Sequence, residues 1–127
     1  MIVEYAGGKK LVARRRGLEV VSDQSEKGGG ENTALTPTEL FIASLAMCVA
    51  IFVVYFAERH DIPLEGMKVE TDYEHAEKPH RIGAIRLQVT MPQPVAEQHR
   101  AALQRAAEQC VVHNTLRHPP KVFISLR

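Results

Sequence analysis

From Leu40 to Ala57 the chain carries no charged residue, and almost every side chain in the run is apolar. A segment that is apolar on every face has to be covered on every face, so it is either the central helix of a core or a membrane span. The residues before it specify a helix. Thr36 stands as N-cap, Pro37 takes the first helical position, and Glu39 falls where its carboxylate can reach back to the cap N–H. Ile62-Pro63 disfavours continuation, so the helix is expected to run to about His60. A helix of more than about 20 residues is roughly 30 Å long, near the diameter of a small domain. The expected solution is an obligate homodimer that wraps the helix, since such interfaces resemble a core cut in half. A membrane span is the competing reading, because the run is close to the lower length limit of about 17 residues. Against it, strand-like polar segments flank the run, and it ends in Glu58-Arg59-His60-Asp61 without a charge bias that would orient it.

Short β-type runs open the chain, at Ile2 to Tyr5, Leu11 to Ala13 and Leu18 to Ser22, separated by Gly7-Gly8 and Gly17 as in a meander. Asp23 to Thr33 contains Gly28-Gly29-Gly30 and reads as a loop, with no strand and P-loop pattern around it to bind phosphate. After the apolar run, Met67 to His75 alternates, with Met67, Val69, Thr71 and Tyr73 opposite Lys68, Glu70, Asp72 and Glu74. Ile85, Leu87, Val89 and Met91 repeat the alternation, and pairing of the two strands would set acidic side chains near Arg81 or Arg86. Pro92 and Pro94 stop the second strand. Val95 to Val112 then reads as a helix with His99, Leu103, Ala106 and Cys110 on one stripe, and Val122 to Leu126, beyond Pro119-Pro120, as a closing strand. The expected order is β-β-β-α-β-β-α-β, a single α+β domain over residues 1–127 with no internal repeat.

Sixteen basic against 15 acidic residues, a net charge of +1, leave no electrostatic footprint for nucleic acid or an anionic membrane. The one basic cluster, Arg14-Arg15-Arg16, reads as a solvated strand end or turn. Met1-Ile2-Val3-Glu4-Tyr5 lacks the basic and apolar regions of a secretory leader, so a cytoplasmic location is expected. In a reducing compartment two cysteines rarely form a permanent bridge. Cys48, inside the apolar run, and Cys110 are therefore either inert packing or a thiol pair with redox chemistry. Catalysis would need a thiolate stabilised by a cation or a helix N-terminus, and Cys48 has neither from its own sequence neighbours. Cys110 and His113 have ligand-like spacing and Cys48 could complete a metal site, but no HExxH or CxxC unit is present, and neither metal nor cofactor is expected.

Pro37-Thr38-Glu39-Leu40-Phe41, followed by Ala43-Ser44-Leu45-Ala46-Met47-Cys48, resembles the Pro-x-Glu-Leu and small-residue-Cys signature of the OsmC/Ohr family of osmotically induced and organic hydroperoxide resistance proteins. Cys110-Val111-Val112-His113-Asn114-Thr115-Leu116 is similar to that family's second cysteine motif, Cys-x-Val before a short helix, and the element order agrees over nearly the whole chain. The resemblance implies an intertwined α+β homodimer with thiol sites at the subunit interface. It also implies a thiol peroxidase of oxidative stress defence acting on organic hydroperoxides, with Cys48 attacking, Cys110 resolving, and a small dithiol or lipoyl group as reductant.

The hydroperoxide-resistance branch has glutamate directly after the proline, partnering an arginine near the first hairpin. Here Thr38 follows Pro37, Glu39 comes one place later, and Lys9 follows Gly7-Gly8, so the chain is most similar to a less characterised third branch. Lys9, Arg14, Arg15, Arg16 and Arg81 are all candidates to stabilise the Cys48 thiolate. The capping box accounts for Glu39. A catalytic role would have to serve the partner's thiol, since nine positions of helix separate Glu39 from Cys48, roughly 13 Å along the axis. The second functional class is a non-enzymatic dimer of the same fold that binds a small apolar ligand or senses oxidants through Cys48.

Overall fold

The structure, a computed structural model, describes residues 1–127 in full. Two small antiparallel sheets and three α-helices make up the mixed α+β architecture expected from the sequence. The chain divides into two compact units, Met1–Ala43 and Ser44–Arg127.

In the first unit, β1 (Ile2–Tyr5), β2 (Leu11–Arg15) and β3 (Leu18–Ser22) form a meander in that order. Arg15 pairs with Leu18, and the Arg16-Gly17 loop between them has φ of 55° and 76°, the double positive φ of a type I′ hairpin. The basic cluster is thus a strand end and turn, and Arg14 forms ion pairs with Glu4 and Glu19 on the solvated face. Val12 and Ser22 are buried, whereas Ile2, Val3, Tyr5, Leu18 and Val20 are exposed.

The loop after β3 is organised by one carboxylate. Asp23, 1% exposed, accepts from the Gln24 N–H at 2.8 Å, the Glu31 N–H at 3.2 Å, the Thr33 N–H at 3.1 Å and the Thr33 hydroxyl at 2.8 Å. Burial opposes ionisation, but the Thr33 hydroxyl bond and the three N–H bonds prevail and lower the Asp23 pKa to about 2. Gly30 fits against this loop only without a side chain, because a Cβ would stand 2.1 Å from the Gln24 carbonyl oxygen.

The helix α1 spans Pro37–Arg59, as its start signal predicts. The capping box is closed: the Thr36 N–H donates to Glu39 Oε2 at 2.8 Å, and the Glu39 N–H donates to Thr36 Oγ1 at 3.2 Å. Along α1, Leu45, Val49, Val53 and Ala57 are buried, each four residues after the last, while Phe41, Met47, Ile51 and Tyr55 are exposed. Its most apolar 18-residue window has a mean hydropathy of 2.6 with 28% of the window buried, a profile that a membrane span and a core helix share.

In the second unit, β4 (Lys68–Ala76) and β5 (Arg81–Thr90) form a two-stranded sheet. Val69 pairs with Val89, Thr71 with Leu87 and Tyr73 with Ile85 on one face. On the other, Arg86 reaches Glu74 at 2.8 Å and Asp72 at 3.4 Å, whereas Arg81 donates to the carbonyls of Glu77 and Pro79. The helix α2 (Glu97–Glu108) follows, then α3 (Val111–Arg117).

Two expectations are corrected here. The helix expected through Val112 ends at Glu108: the Gln109 N–H turns back to the Ala106 carbonyl at 3.1 Å, and Cys110 is extended, with φ −54° and ψ 129°. The closing strand Val122 to Leu126 does not form, and Phe123, Ile124 and Leu126 are 88%, 94% and 100% exposed. An alternating apolar pattern supplies strand propensity, but a strand needs a sheet edge to pair with, and no segment of this chain pairs with this one.

Candidate active site

Both cysteines lie in the second unit and meet there. Cys110 is fully buried and packs with Leu45 and Val49, and Cys48, Phe52, Ile85, Leu87, Val89, Ala107 and Val112 surround this cluster. α1 supplies Cys48 as a half-buried side chain on its second turn beyond the first unit, and the break between α2 and α3 supplies Cys110. Both thiols are free.

Cys110 is the N-cap of α3. Its carbonyl accepts the Asn114 N–H at 2.9 Å, the first bond of the helix, and its Sγ accepts the His113 N–H at 3.3 Å, the place usually taken by a serine or aspartate oxygen. The His113 ring contacts the Glu108 carbonyl through Nδ1 at 3.2 Å, which ties the end of α2 to the start of α3.

The two thiols differ electrostatically. Burial raises the Cys48 pKa, but a hydrogen bond from the Cys110 thiol and the N–H groups of Val112 and Val111 outweigh it, so Cys48 ionises below its ordinary value. Burial also raises the Cys110 pKa, the hydrogen bond to Cys48 raises it further, and the N–H groups of His113 and Val112 offset only part of this. Of the two, Cys48 is the thiol that ionises first.

None of the groups that stabilise the Cys48 thiolate is a cation. Of the five basic candidates, Arg14 pairs with Glu4 and Glu19, Arg81 donates to carbonyls of its own hairpin, and Lys9, Arg15 and Arg16 are exposed. Glu39 is exposed, with its carboxylate on the Thr36 N–H. The sequence did not point to Val111 and Val112 as donors, because a continuous helix through Val112 would have spent their N–H groups internally. The available signal was the cysteine motif followed by a short helix, which places a thiol in a cap position.

The family model for OsmC-like proteins matches residues 29–125. No curated protein sequence matches the chain. Among solved structures, a Psychrobacter arcticus protein named for osmotic stress induction and detoxification response aligns with a TM-score of 0.82 at 23% identity, over 90% of this chain and 85% of its own. The organic hydroperoxide resistance protein OsmC of Legionella pneumophila aligns with a TM-score of 0.66 at 23% identity, over 91% and 88%. A Vibrio cholerae protein named for organic hydroperoxide resistance, solved with captopril in one of its active sites, aligns with a TM-score of 0.67 at 19% identity, over 92% and 83%. At these identities the likeness is one of fold.

Proposed function

The chain belongs to the OsmC-like protein family, and from that premise we propose that it is a thiol peroxidase for organic hydroperoxides, with Cys48 as the attacking and Cys110 as the resolving residue. The observation that carries this reading is the packing of Cys48 against the buried cluster that contains Cys110, with Cys48 the thiol of lower pKa.

The Cys48 thiolate attacks the terminal oxygen of R–O–O–H. An S–O bond forms, the O–O bond breaks, and the electron pair leaves on the alkoxide RO⁻, which takes a proton to become ROH. The proton on Cys110 is the nearest one, and its transfer leaves Cys110 as a thiolate beside the new Cys48 sulfenic acid. Attack by that thiolate forms the disulfide and expels hydroxide, which leaves as water after protonation. The apolar surroundings of the pair favour alkyl hydroperoxides over hydrogen peroxide. A small dithiol or lipoyl-type reductant restores both thiols by exchange in the cytoplasm.

The working unit is a homodimer. The exposed α1 residues Met47, Ile51 and Tyr55, the exposed apolar side chains of the first sheet and the unpaired Val122 to Leu126 segment support this reading, since one chain leaves them uncovered. Within such a dimer Glu39 serves the partner's thiol, if it acts beyond its cap.

Counting free thiols tests the chemistry. One equivalent of an alkyl hydroperoxide is expected to remove both thiols and a dithiol to restore them over many cycles. Cys48→Ser is expected to abolish turnover, and Cys110→Ser to permit about one turnover and leave a trappable sulfenic acid. Wild-type turnover in the Cys48→Ser variant overturns the mechanism.

A further inference from the structure

Two histidines that the thiol chemistry does not use meet elsewhere in the second unit. His60 follows the last turn of α1, its N–H turned back to the Ala57 carbonyl at 3.2 Å, and His99 lies in the first turn of α2. Their ring centres are 4.9 Å apart with the planes inclined at 43°. Phe56, one turn before His60, packs against both rings, at 4.3 Å from His60 and 6.0 Å from His99. His99 is half-buried and His60 exposed, so packing holds the pair on one side and solvent reaches it on the other. His80, His113 and His118 each commit Nδ1, to Glu77, to the Glu108 carbonyl and to the Asn114 carbonyl. The rings of His60 and His99 have no hydrogen bond and no ion pair, which leaves their nitrogens free.

An imidazole nitrogen binds a divalent cation such as Zn²⁺ at about 2.0–2.1 Å, which puts the ion about 3.2 Å from the ring centre. Two rings on one ion then have centres about 4.5 Å apart for a right angle between the bonds, and about 5.2 Å apart for a tetrahedral one. The His60–His99 separation falls between these values, and inclined planes let two in-plane lone pairs converge on one point. His75 and His80 are 5.0 Å apart but stacked with planes at 7°, so their lone pairs do not converge. The C-terminal end of α1 favours a cation, and the opposite charge at the start of α2 is offset by Glu97 in the same turn. We propose that His60 and His99 hold a late first-row divalent cation through one nitrogen each. Imidazole suits Ni²⁺, Cu²⁺ and Zn²⁺. No third His, Cys, Asp or Glu completes the set, so water takes the remaining positions and the ion exchanges with solvent. Because one ligand comes from each helix, the ion straps α1 to α2, whose Cys48 and Ala107 pack against one cluster. Neither thiol is a ligand, so the site stands whether or not the chain is a peroxidase.

Titration of the full chain with nickel chloride tests this, followed by proton NMR of the histidine rings and by calorimetry. Paramagnetic Ni²⁺ is expected to broaden the His60 and His99 signals first, with those of His75, His80, His113 and His118 changing only at higher ion concentration. The tightest calorimetric site should take one ion per chain. His60→Asn and His99→Asn should each weaken it at least about tenfold, and the double variant no further than either single one, because a chelate is lost whole when one arm is removed. Ni²⁺ at about a hundred times Kd should raise the folded-to-unfolded ratio of the wild type about a hundredfold, and that of His60→Asn about tenfold or less. First broadening at another histidine or beside the thiols, wild-type affinity no tighter than that of free imidazole measured alongside, or unchanged affinity in either single variant overturns the assignment. One ion per two chains overturns it as well, since the ligands would then come from two copies. The broadening is read on the wild type, so it decides the matter even if a variant fails to fold.

Discussion

Cys48 packs against the buried cluster that contains Cys110, and the two thiols have opposite acidities, Cys48 below and Cys110 above the ordinary cysteine value. Burial by itself would make both thiols harder to ionise than a cysteine in water, because it penalises the charged form. The break between α2 and α3 produces the asymmetry, since it turns Cys110 inward as a cap and aims the first N–H groups of α3 at Cys48.

Cys48 is expected to be the first thiol alkylated, with a rate that rises with pH through a midpoint below the ordinary cysteine value. Cys110→Ala removes one donor while burial remains, so the Cys48 midpoint should move upward and alkylation at neutral pH slow by roughly three- to tenfold. Iodoacetamide rates over a pH series check this by mass spectrometry. An unchanged Cys48 midpoint in Cys110→Ala would show that the thiol contact does not set its acidity.

Asp23 links the stability of the first unit to acid pH. Its folded pKa, about 2, lies below the ordinary value of 3.8, so its contribution is complete above pH 3.8 and is lost as the pH falls towards 2. Urea midpoints between pH 5 and pH 2 should therefore fall more steeply in the wild type than in Asp23→Asn, whose midpoint should already be low at pH 5.

Gly30→Ala is expected to cost about 1–3 kcal/mol, as overpacking does. The added Cβ meets backbone, the Gln24 carbonyl, which cannot move without disturbing the Asp23 loop. Slower amide exchange at Glu31 and Thr33 in the wild type than in the variant would locate the loss in this loop.

Glu39→Gln separates capping from charge. A glutamine can still accept the Thr36 N–H, so stability should be retained, whereas Glu39→Ala should lose about 1 kcal/mol. If Glu39 serves the partner's thiol, Glu39→Gln loses activity at wild-type stability. Mixing inactive Glu39→Ala and Cys48→Ser chains under refolding should then recover about a quarter of wild-type activity, from heterodimers with one intact site. Full activity in Glu39→Gln identifies the residue as a cap alone.

Ile51→Glu places a charge in the exposed apolar stripe of α1 and should weaken the proposed dimer at least about a hundredfold, because each copy would bury that charge at the interface. Light scattering on the eluted protein reads the change. A monodisperse wild-type monomer would remove the interface.

Much of this architecture follows from the sequence because it depends on local rules. The Thr36-Pro37-Thr38-Glu39 box starts α1, the period-two alternation of Lys68 to Ala76 and Arg81 to Thr90 sets their faces, and the Arg16-Gly17 turn closes a hairpin. Each signal lies within a few residues of the structure it produces. The sequence also identified the two cysteines as the residues worth asking about. It could not show that α2 stops at Glu108, since the apolar stripe runs on to Cys110 and only the inward turn of that thiol makes the break favourable. Nor could it identify what stabilises Cys48. The groups that lower its pKa are the Cys110 thiol and the backbone N–H groups of Val112 and Val111, far along the chain. Every non-proline residue has an N–H, so residue type cannot reveal which ones are left free; that is decided by where a helix begins and what tertiary packing places in front of it.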